Sequence, residues 1–506
     1  MENIYLKLGQ LHEKYRDSPK TLNKLNTYIL NHLPQLLEKY NQQEKKNLFL
    51  EKESEKYINE FLCDPNLQYF YISNTDIFLK YTGDNYTIVE EDDIWYTILT
   101  DITKKETLVE WKQKIKNTII KHIKQNLITE TIPESFTVQK IINFFTPTLL
   151  FTKDNVKHFL TVLGDNILGK NKNLIYLTTP ESKPFFETLD QFCQCYFKNK
   201  INISDGFKFT YRNYNYNNCR IIYFTKSIKN NYWIHFLKNN IFNLVAVACH
   251  YSNRFGNADK YLATRHTNFI SKILYRKINS DDTIIQEFIN EMITYKETSE
   301  MTIHFREIYL LWKIYLENNN LPTIMCKSNF EQIIKNKINS NENHFTGIES
   351  KYLNVIKLFQ KFWSTNMRYD DDDEIEISEL YVLMNNWANN IIDIEEDDFS
   401  NMIKYFFPDI IIENNKILKN IKCMLWDKQN DIIQFFSNYN FNEGETVDKN
   451  VSIYKAYKIY CGYANDNNLL TVSKNYFNRY IDRVIPEQYI LNNYISKDYW
   501  SLAASA

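Results

Sequence analysis

Apolar side chains recur every three or four residues through LNKLNTYILNHLPQLLEKY (22–40) and TLVEWKQKIKNTIIKHIKQNL (107–127), so residues 1–145 read as a mostly helical region. Between about 146 and 300 the period alternates. VKHFLTVLGDNIL (156–168), KPFFETLDQFCQCYF (183–197) and ADKYLATRHTNFISKIL (258–274) have helical spacing. NLIYLTT (173–179), GFKFTYRNY (206–214), CRIIYFTK (219–226) and FNLVAVACHY (242–251) are short runs rich in β-branched and aromatic residues and read as strands. Strands alternating with helices predict an α/β unit.

From about 301 the chain repeats itself. EIYLLWKIYL (307–316) matches SIYKAYKIYC (452–461), and CKSNFEQIIKNKI (326–338) matches SKNYFNRYIDRVI (473–485), with Lys327/Lys474, Phe330/Phe477, Ile334/Ile481 and Ile338/Ile485 in register. A looser copy lies between them. YLNVIKLFQKFW (352–363) resembles the first helix, and after the acidic DDDDEIE (370–376) come ISELYVLMNNW and DDFSNMIKYFF (397–407). Next, PDIIIENNKILKNIKCMLWD (408–427) places two alternating β-branched runs around Asn414-Asn415, a hairpin signal because Asn tolerates the positive φ of a tight turn. NHFTGIESKYL (343–353) and EQYILNNYISKDYW (487–500) are the corresponding hairpin candidates. A helix, a turn, a second helix and a hairpin describe a winged helix-turn-helix, so the expectation is three tandem modules, at 301–352, 353–430 and 450–503.

In a DNA-binding module of this kind the second helix enters the major groove, where Arg suits guanine, Asn suits adenine and Lys suits phosphate. If Phe477, Ile481 and Ile485 pack inward, the opposite face carries Lys474, Asn475, Asn478, Arg479 and Arg483. The first copy offers Lys327, Asn329, Gln332, Lys335 and Lys337. The middle helix begins with Asp397 and Asp398, followed by Asn401 and Lys404, and its nucleic-acid candidates move to the wing: Lys416, Lys419 and Lys422. The competing reading is a protein-docking module, since a few basic residues are common on any helix surface. The same choice holds for Lys104, Lys105, Lys112, Lys114, Lys116, Lys121 and Lys124 around Trp111, where a solvated amphipathic face is the commoner explanation. DDDD reads as a solvated loop rather than a metal site.

Composition narrows the classes. The chain has 506 residues, room for about three or four domains. Its net charge of −2 means that any nucleic-acid surface is local. No apolar run approaches the ~18 residues of a membrane span, and MENIYLKLGQ is not a signal peptide, so a soluble, intracellular protein with reduced thiols is expected. The eight cysteines are scattered, and the one close pair, Cys193/Cys195, has no second pair at zinc spacing. No metal or cofactor is expected.

LIYLTTPESKPFFETL (174–189) has the outline of a phosphate-binding strand–loop–helix. The loop has no glycine, Glu181 brings negative charge, and Pro184 stands where a metal-binding hydroxyl would follow Lys183. Nucleotide hydrolysis is therefore not expected from it. No HExxH or GxSxG stretch is present, and Cys249-His250 reads as the end of a core strand.

The order of parts resembles the helicase half of poxvirus-type superfamily-3 primase-helicases. It is carried by Phe159, Leu160, Gly164 and Leu168 ahead of the strand, Lys183 at the loop-lysine position, and the closing YKAYKIYC…VSKNYFNRYI. LWDK (425–428) and VACHYS (247–252) also resemble phrases in Asn/Ile/Lys-rich proteins of giant viruses related to mimiviruses. The resemblance implies a predominantly helical α+β chain. A helical N-terminal region (1–145) and a degenerate P-loop-like α/β domain (146–300) would precede the C-terminal winged helices. Because the loop lacks that family's glycines and Ser/Thr, the expectation is a non-enzymatic viral nucleic-acid-binding protein, acting on DNA in replication or transcription in the infected cytoplasm, virus factory or virion. The alternatives are a protein-interaction or virion structural protein and a divergent superfamily-3 helicase.

Overall fold

The computed structural model describes residues 2–171, 173–198, 203–296, 302–338, 340–341, 344–389, 394–438, 450–496 and 498–500. The chain is predominantly helical with small sheets, an α+β class. It divides into two compact units, Met1–Ile284 with Leu316–Phe330, and Ile285–Tyr315 with Glu331–Ala506. No described helix is long and apolar enough to cross a membrane.

The first unit opens with helices α1 (Glu2–Lys14), α2 (Pro19–Thr27) and α3 (Leu33–Cys63), the last two joined by a π-helical turn at Tyr28–His32. Pro19 and Pro34 sit in the first turns of α2 and α3, where a missing N–H costs nothing. The mostly helical region expected over 1–145 also contains a three-stranded antiparallel sheet that the sequence reading did not locate, β1 (Tyr69–Ile72), β2 (Ile77–Tyr81) and β3 (Tyr86–Val89). Its strands are four or five residues long, too short to impose a visible period on a helical background. Helices α4 (Glu91–Lys104) and α5 (Lys112–Gln125) cover it through Ile94, Ile98, Ile102, Ile115, Ile119 and Ile123.

Next come α6 (Ser135–Phe145), α7 (Lys153–Ile167), β4 (Ile175–Leu177), α8 (Lys183–Phe197), β5 (Phe207–Lys208), β6 (Cys219–Ile221) and α9 (Trp233–Phe255). The three strands form a parallel sheet in the order β5-β4-β6, the arrangement that helix-linked strands require. One hydrophobic core runs from Phe70 to Ala258 and crosses residue 145 without a break. FNLVAVACHY, expected as a strand, is helix within α9. It is buried on nearly every side, so neither a helical stripe nor an alternation survives in its sequence. The helix is kinked at Asn240, and Asn243 reaches β3: its Oδ1 accepts from Tyr86 N (3.0 Å) and its Nδ2 donates to Asn85 Oδ1 (2.7 Å). α7 and α9 cross at Gly164, where a Cβ would lie 2.1 Å from the Ala248 carbonyl oxygen. Asp165 beside it is buried, its oxygens accepting from Ser252 Oγ (2.6 Å) and Ala258 N (2.7 Å), and burial raises its pKa. Short helices α10 (Ala258–Ala263), α11 (Thr267–Ile273) and α12 (Tyr275–Ile278) complete this part. The Arg220 guanidinium, buried in β6, pairs through Nε and Nη2 with Asp259 at 3.0 and 2.8 Å.

His158 on α7 is fully buried between the Tyr261 and Phe269 rings, and neither ring nitrogen has a hydrogen-bond partner. Burial lowers its pKa from 6.5 to about 3. Between those values the unfolded chain takes up a proton that the native chain refuses, so this group makes stability fall as pH drops. Thermal midpoints measured from pH 7 to pH 4 should therefore decline less steeply for His158→Leu than for the parent, and equal slopes would refute this.

From Asp281 onward the chain uses one element order three times. In the first repeat, α13 (Asp281–Met292) and β7 (Thr294–Tyr295) precede β8 (Ile303–His304), α14 (Phe305–Asn318), α15 (Lys327–Lys337), β9 (Ser340–Asn341) and β10 (His344–Phe345). β11 (Ile348–Glu349) pairs back with β7. The second repeat is α16 (Lys351–Asn366), β12 (Met367–Glu376), α17 (Ile377–Trp387), α18 (Glu396–Phe406), β13 (Ile412–Glu413) and β14 (Ile417–Cys423). The third is α19 (Lys428–Asn438), β15 (Asn450–Ser452), α20 (Ile453–Asp466), α21 (Lys474–Val484), β16 (Ile490–Leu491) and β17 (Tyr494–Ser496). Each is helix, strand, helix, helix, hairpin, and the strand orders β8-β10-β9, β12-β14-β13 and β15-β17-β16 are the same.

Several expectations are adjusted by this order. EIYLLWKIYL belongs to α14 and corresponds to α17, not to YLNVIKLFQKFW, which lies in the leading helix α16; both are amphipathic with similar aromatic spacing, and sequence similarity alone cannot rank them. In the first repeat β9 pairs with β10, so the paired strands begin at Ser340, ahead of the expected NHFTGIESKYL (343–353); residues 342–343 lie outside the described residues. The acidic run is no solvated loop. It lies in β12, whose register shifts between Tyr369 and Glu374, turning Asp373 and Glu374 inward, and burial raises the Asp373 pKa. The two later hairpins turn as expected, with positive φ at Asn414 and Asn415 and at Asn492 and Asn493.

Candidate nucleic-acid interface

The third helix of each repeat has one apolar and one polar face. In α15, Phe330 and Ile334 are buried, with Ile338 just beyond; in α21, Phe477 and Ile481 are, with Ile485 beyond. The Ser473 side chain caps α21, accepting from Tyr476 N at 3.3 Å. Outward on α21 stand Lys474, Asn475, Arg479 and Arg483, with Asn478 half-buried and Asp482 among them. Lys474 Nζ lies 4.9 Å from the centre of the Tyr454 ring, and Lys458 Nζ lies 5.0 Å from the same ring. On α15, Lys327 and Gln332 are exposed, Asn329 and Lys337 are half-buried, and Lys335 pairs with Glu331 at 2.7 Å. α18 begins with Glu396, Asp397 and Asp398, all exposed, and Asn401 and Lys404 follow them on its outer side.

Tertiary contacts divide the candidate cations into two groups. Lys416 is exposed in the turn between β13 and β14, and Lys422 sits opposite Arg368 in the sheet. Lys419 is engaged by two carboxylates, Glu374 at 2.6 Å and Glu413 at 2.7 Å. Arg479 is ion-paired with Glu374. That carboxylate is buried in β12 of the preceding repeat, so Arg479 helps to join repeats two and three as well as facing outward.

The same junction contains residues that sequence reasoning missed. Lys428, the first residue of α19, is buried; its ammonium pairs with Glu379 and donates to the Glu374 carbonyl at 3.1 Å. The Trp426 and Tyr476 rings flank it at 4.8 and 4.7 Å. Glu379 also accepts from Glu376 N and Ser473 N, both at 3.0 Å, and so caps α17 while holding the start of α21. Between repeats one and two, Arg306 donates to the last carbonyls of α18, Tyr405 O at 2.9 Å and Phe406 O at 2.7 Å, where a cation suits the negative helix end. No local pattern marks Lys428 or Arg306, because the groups that hold their charges, Glu379, the Glu374 carbonyl and the end of α18, are remote in sequence; Glu379 alone carries a local sign, the capping box it forms with Glu376 at the start of α17.

Lys183 begins α8, directly after the central strand β4 of the parallel sheet. The loop is a 3-10 turn, Pro180–Ser182, and no residue from Thr178 to Lys183 has positive φ. Ser182 Oγ turns inward to Thr179 O at 2.7 Å, and exposed Lys183 pairs with Glu187 at 3.5 Å. Successive N–H groups therefore do not converge into an anion nest there. Among the described residues no cluster of three or more His, Cys, Asp or Glu could hold a metal. No family model, curated protein or solved structure matches the chain.

Proposed function

We propose that this chain is a non-enzymatic nucleic-acid-binding protein of DNA replication or transcription, and that its three repeats are winged helix-turn-helix modules. The observation that carries the reading is the threefold recurrence of helix, strand, helix, helix and hairpin with one strand order. In such a module the third helix is the one presented to the major groove. The outward residues of α15 and α21 are basic and amide-bearing, the chemistry that phosphates and base edges accept. Tandem modules add affinity through effective concentration.

Fluorescence anisotropy of the full chain with labelled duplex DNA tests this. Binding at micromolar Kd or tighter is expected at low salt, weakening linearly in log salt. Lys474→Glu combined with Arg483→Glu should weaken it at least about tenfold, as two lost phosphate contacts require. Arg479 is kept unchanged in this variant, because its reversal would break its pair with Glu374. Absence of binding at low salt would sink the reading. The acidic first turn of α18 favours a protein-docking role for the middle repeat, and a pull-down dependent on Asp397 and Asp398 would then decide for docking.

A further inference from the structure

We propose that helix α5, in the first unit, is a second nucleic-acid contact, separate from the repeats. From Trp111 to Thr129 the chain has no acidic residue and carries Lys112, Lys114, Lys116, Lys121 and Lys124. Ile115, Ile119 and Ile123 face the core, which leaves Gln113, Lys114, Asn117, Lys121, Lys124 and Gln125 exposed on the opposite side. Among the described residues no carboxylate lies within ion-pairing distance of Lys112, Lys114, Lys116 or Lys121; Lys124 lies 4.0 Å from Glu91. Two of the cations rest on rings instead. Lys114 Nζ is 3.9 Å from the Trp111 ring centre, and Lys116 Nζ is 4.0 Å from that of Trp95. A ring face restrains an ammonium without cancelling its charge, so Lys114 and Lys116 keep theirs, and only Lys124 is partly offset, by Glu91.

The partner follows from that chemistry. Lys112 to Lys124 spans about 18 Å of helix, a length over which duplex DNA presents about ten phosphates. The amides of Gln113, Asn117 and Gln125 add donors between the lysines. An anionic membrane surface fits less well, because interfacial helices bury apolar side chains and this outward face has none.

The test uses the full chain, a labelled duplex and a salt titration. Lys114→Gln with Lys121→Gln should lower the slope of log affinity against log salt by about two and weaken binding about tenfold or more near 0.1 M salt. Lys→Arg at both positions should restore it, which separates lost charge from lost folding. If the glutamine pair leaves slope and affinity unchanged while Lys474→Glu/Arg483→Glu reduces them, α5 is excluded and the repeats stand. If only the α5 pair reduces them, the inference holds and the role of the repeats fails. Cosedimentation with phosphatidylserine vesicles that depends on Lys114 and Lys121, with no DNA effect, would also overturn it.

Discussion

Lys428→Ala is expected to destabilise the second unit by about 3–5 kcal/mol, the cost of removing one partner from a buried ion pair. The ammonium is the counter-charge of Glu379, and the Glu379 side chain is only 10% exposed. Without Lys428 that carboxylate keeps its bonds to Glu376 N and Ser473 N but loses its cation, while a cavity opens between the Trp426 and Tyr476 rings. For a domain of this size the midpoint should drop by roughly 10 °C or more. A double variant, Lys428→Met with Glu379→Gln, removes both charges and should regain much of the loss, because a buried pair is often replaceable by a neutral one. Calorimetry of the parent, Lys428→Met, Glu379→Gln and the double variant measures the coupling directly. A single-variant loss below about 1 kcal/mol would mean that the pair is hydrated and unimportant.

Gly164→Ala is expected to be the most damaging small substitution in the first unit. A Cβ there meets the Ala248 carbonyl oxygen at 2.1 Å, its carbon at 2.6 Å and Ser252 Cβ at 2.7 Å. The first two are backbone atoms of α9, so relief requires the helices to separate and the core around Leu160, Leu163 and Val245 to open. Overpacking of this kind costs typically about 1–3 kcal/mol and more where backbone must move. It has to outweigh a gain of about 1 kcal/mol in helix propensity. Gly462 in α20 is the control: nothing lies within 4 Å of its Cβ position, so Gly462→Ala should be neutral or slightly stabilising. Chemical denaturation of both variants tests the contrast, and equal effects would show that the α7–α9 crossing adapts freely.

The repeats were legible because their signals are local. Apolar spacing marks α14, α15, α20 and α21, and paired asparagines at positive φ mark the hairpins after α18 and α21. The short strands of the first unit were harder. β1 to β3 are hidden among helices, and the buried middle of α9 has no polar face to display a period. The loop before Lys183 has no glycine, and it folds as a 3-10 turn followed by a Lys183–Glu187 pair.

The leading helix and first strand of each repeat emerged only in the structure, but the sequence by itself determined the helical class, the recurrence of amphipathic helices and hairpin signals in the C-terminal part and which face of each third helix is polar. These follow from periodicity and turn chemistry within a few residues. Only the tertiary structure decided what each charge does. Arg479 and Lys474 look alike in sequence, yet Arg479 meets a buried carboxylate from the preceding repeat while Lys474 rests on the Tyr454 ring. An acidic run that reads as solvent-facing sends Glu374 into a junction, and a lone lysine, Lys428, becomes a buried counter-ion. The physical reason is common to all three. A charged group acts through the partner and the dielectric around it, and folding supplies both from parts of the chain that no local pattern connects.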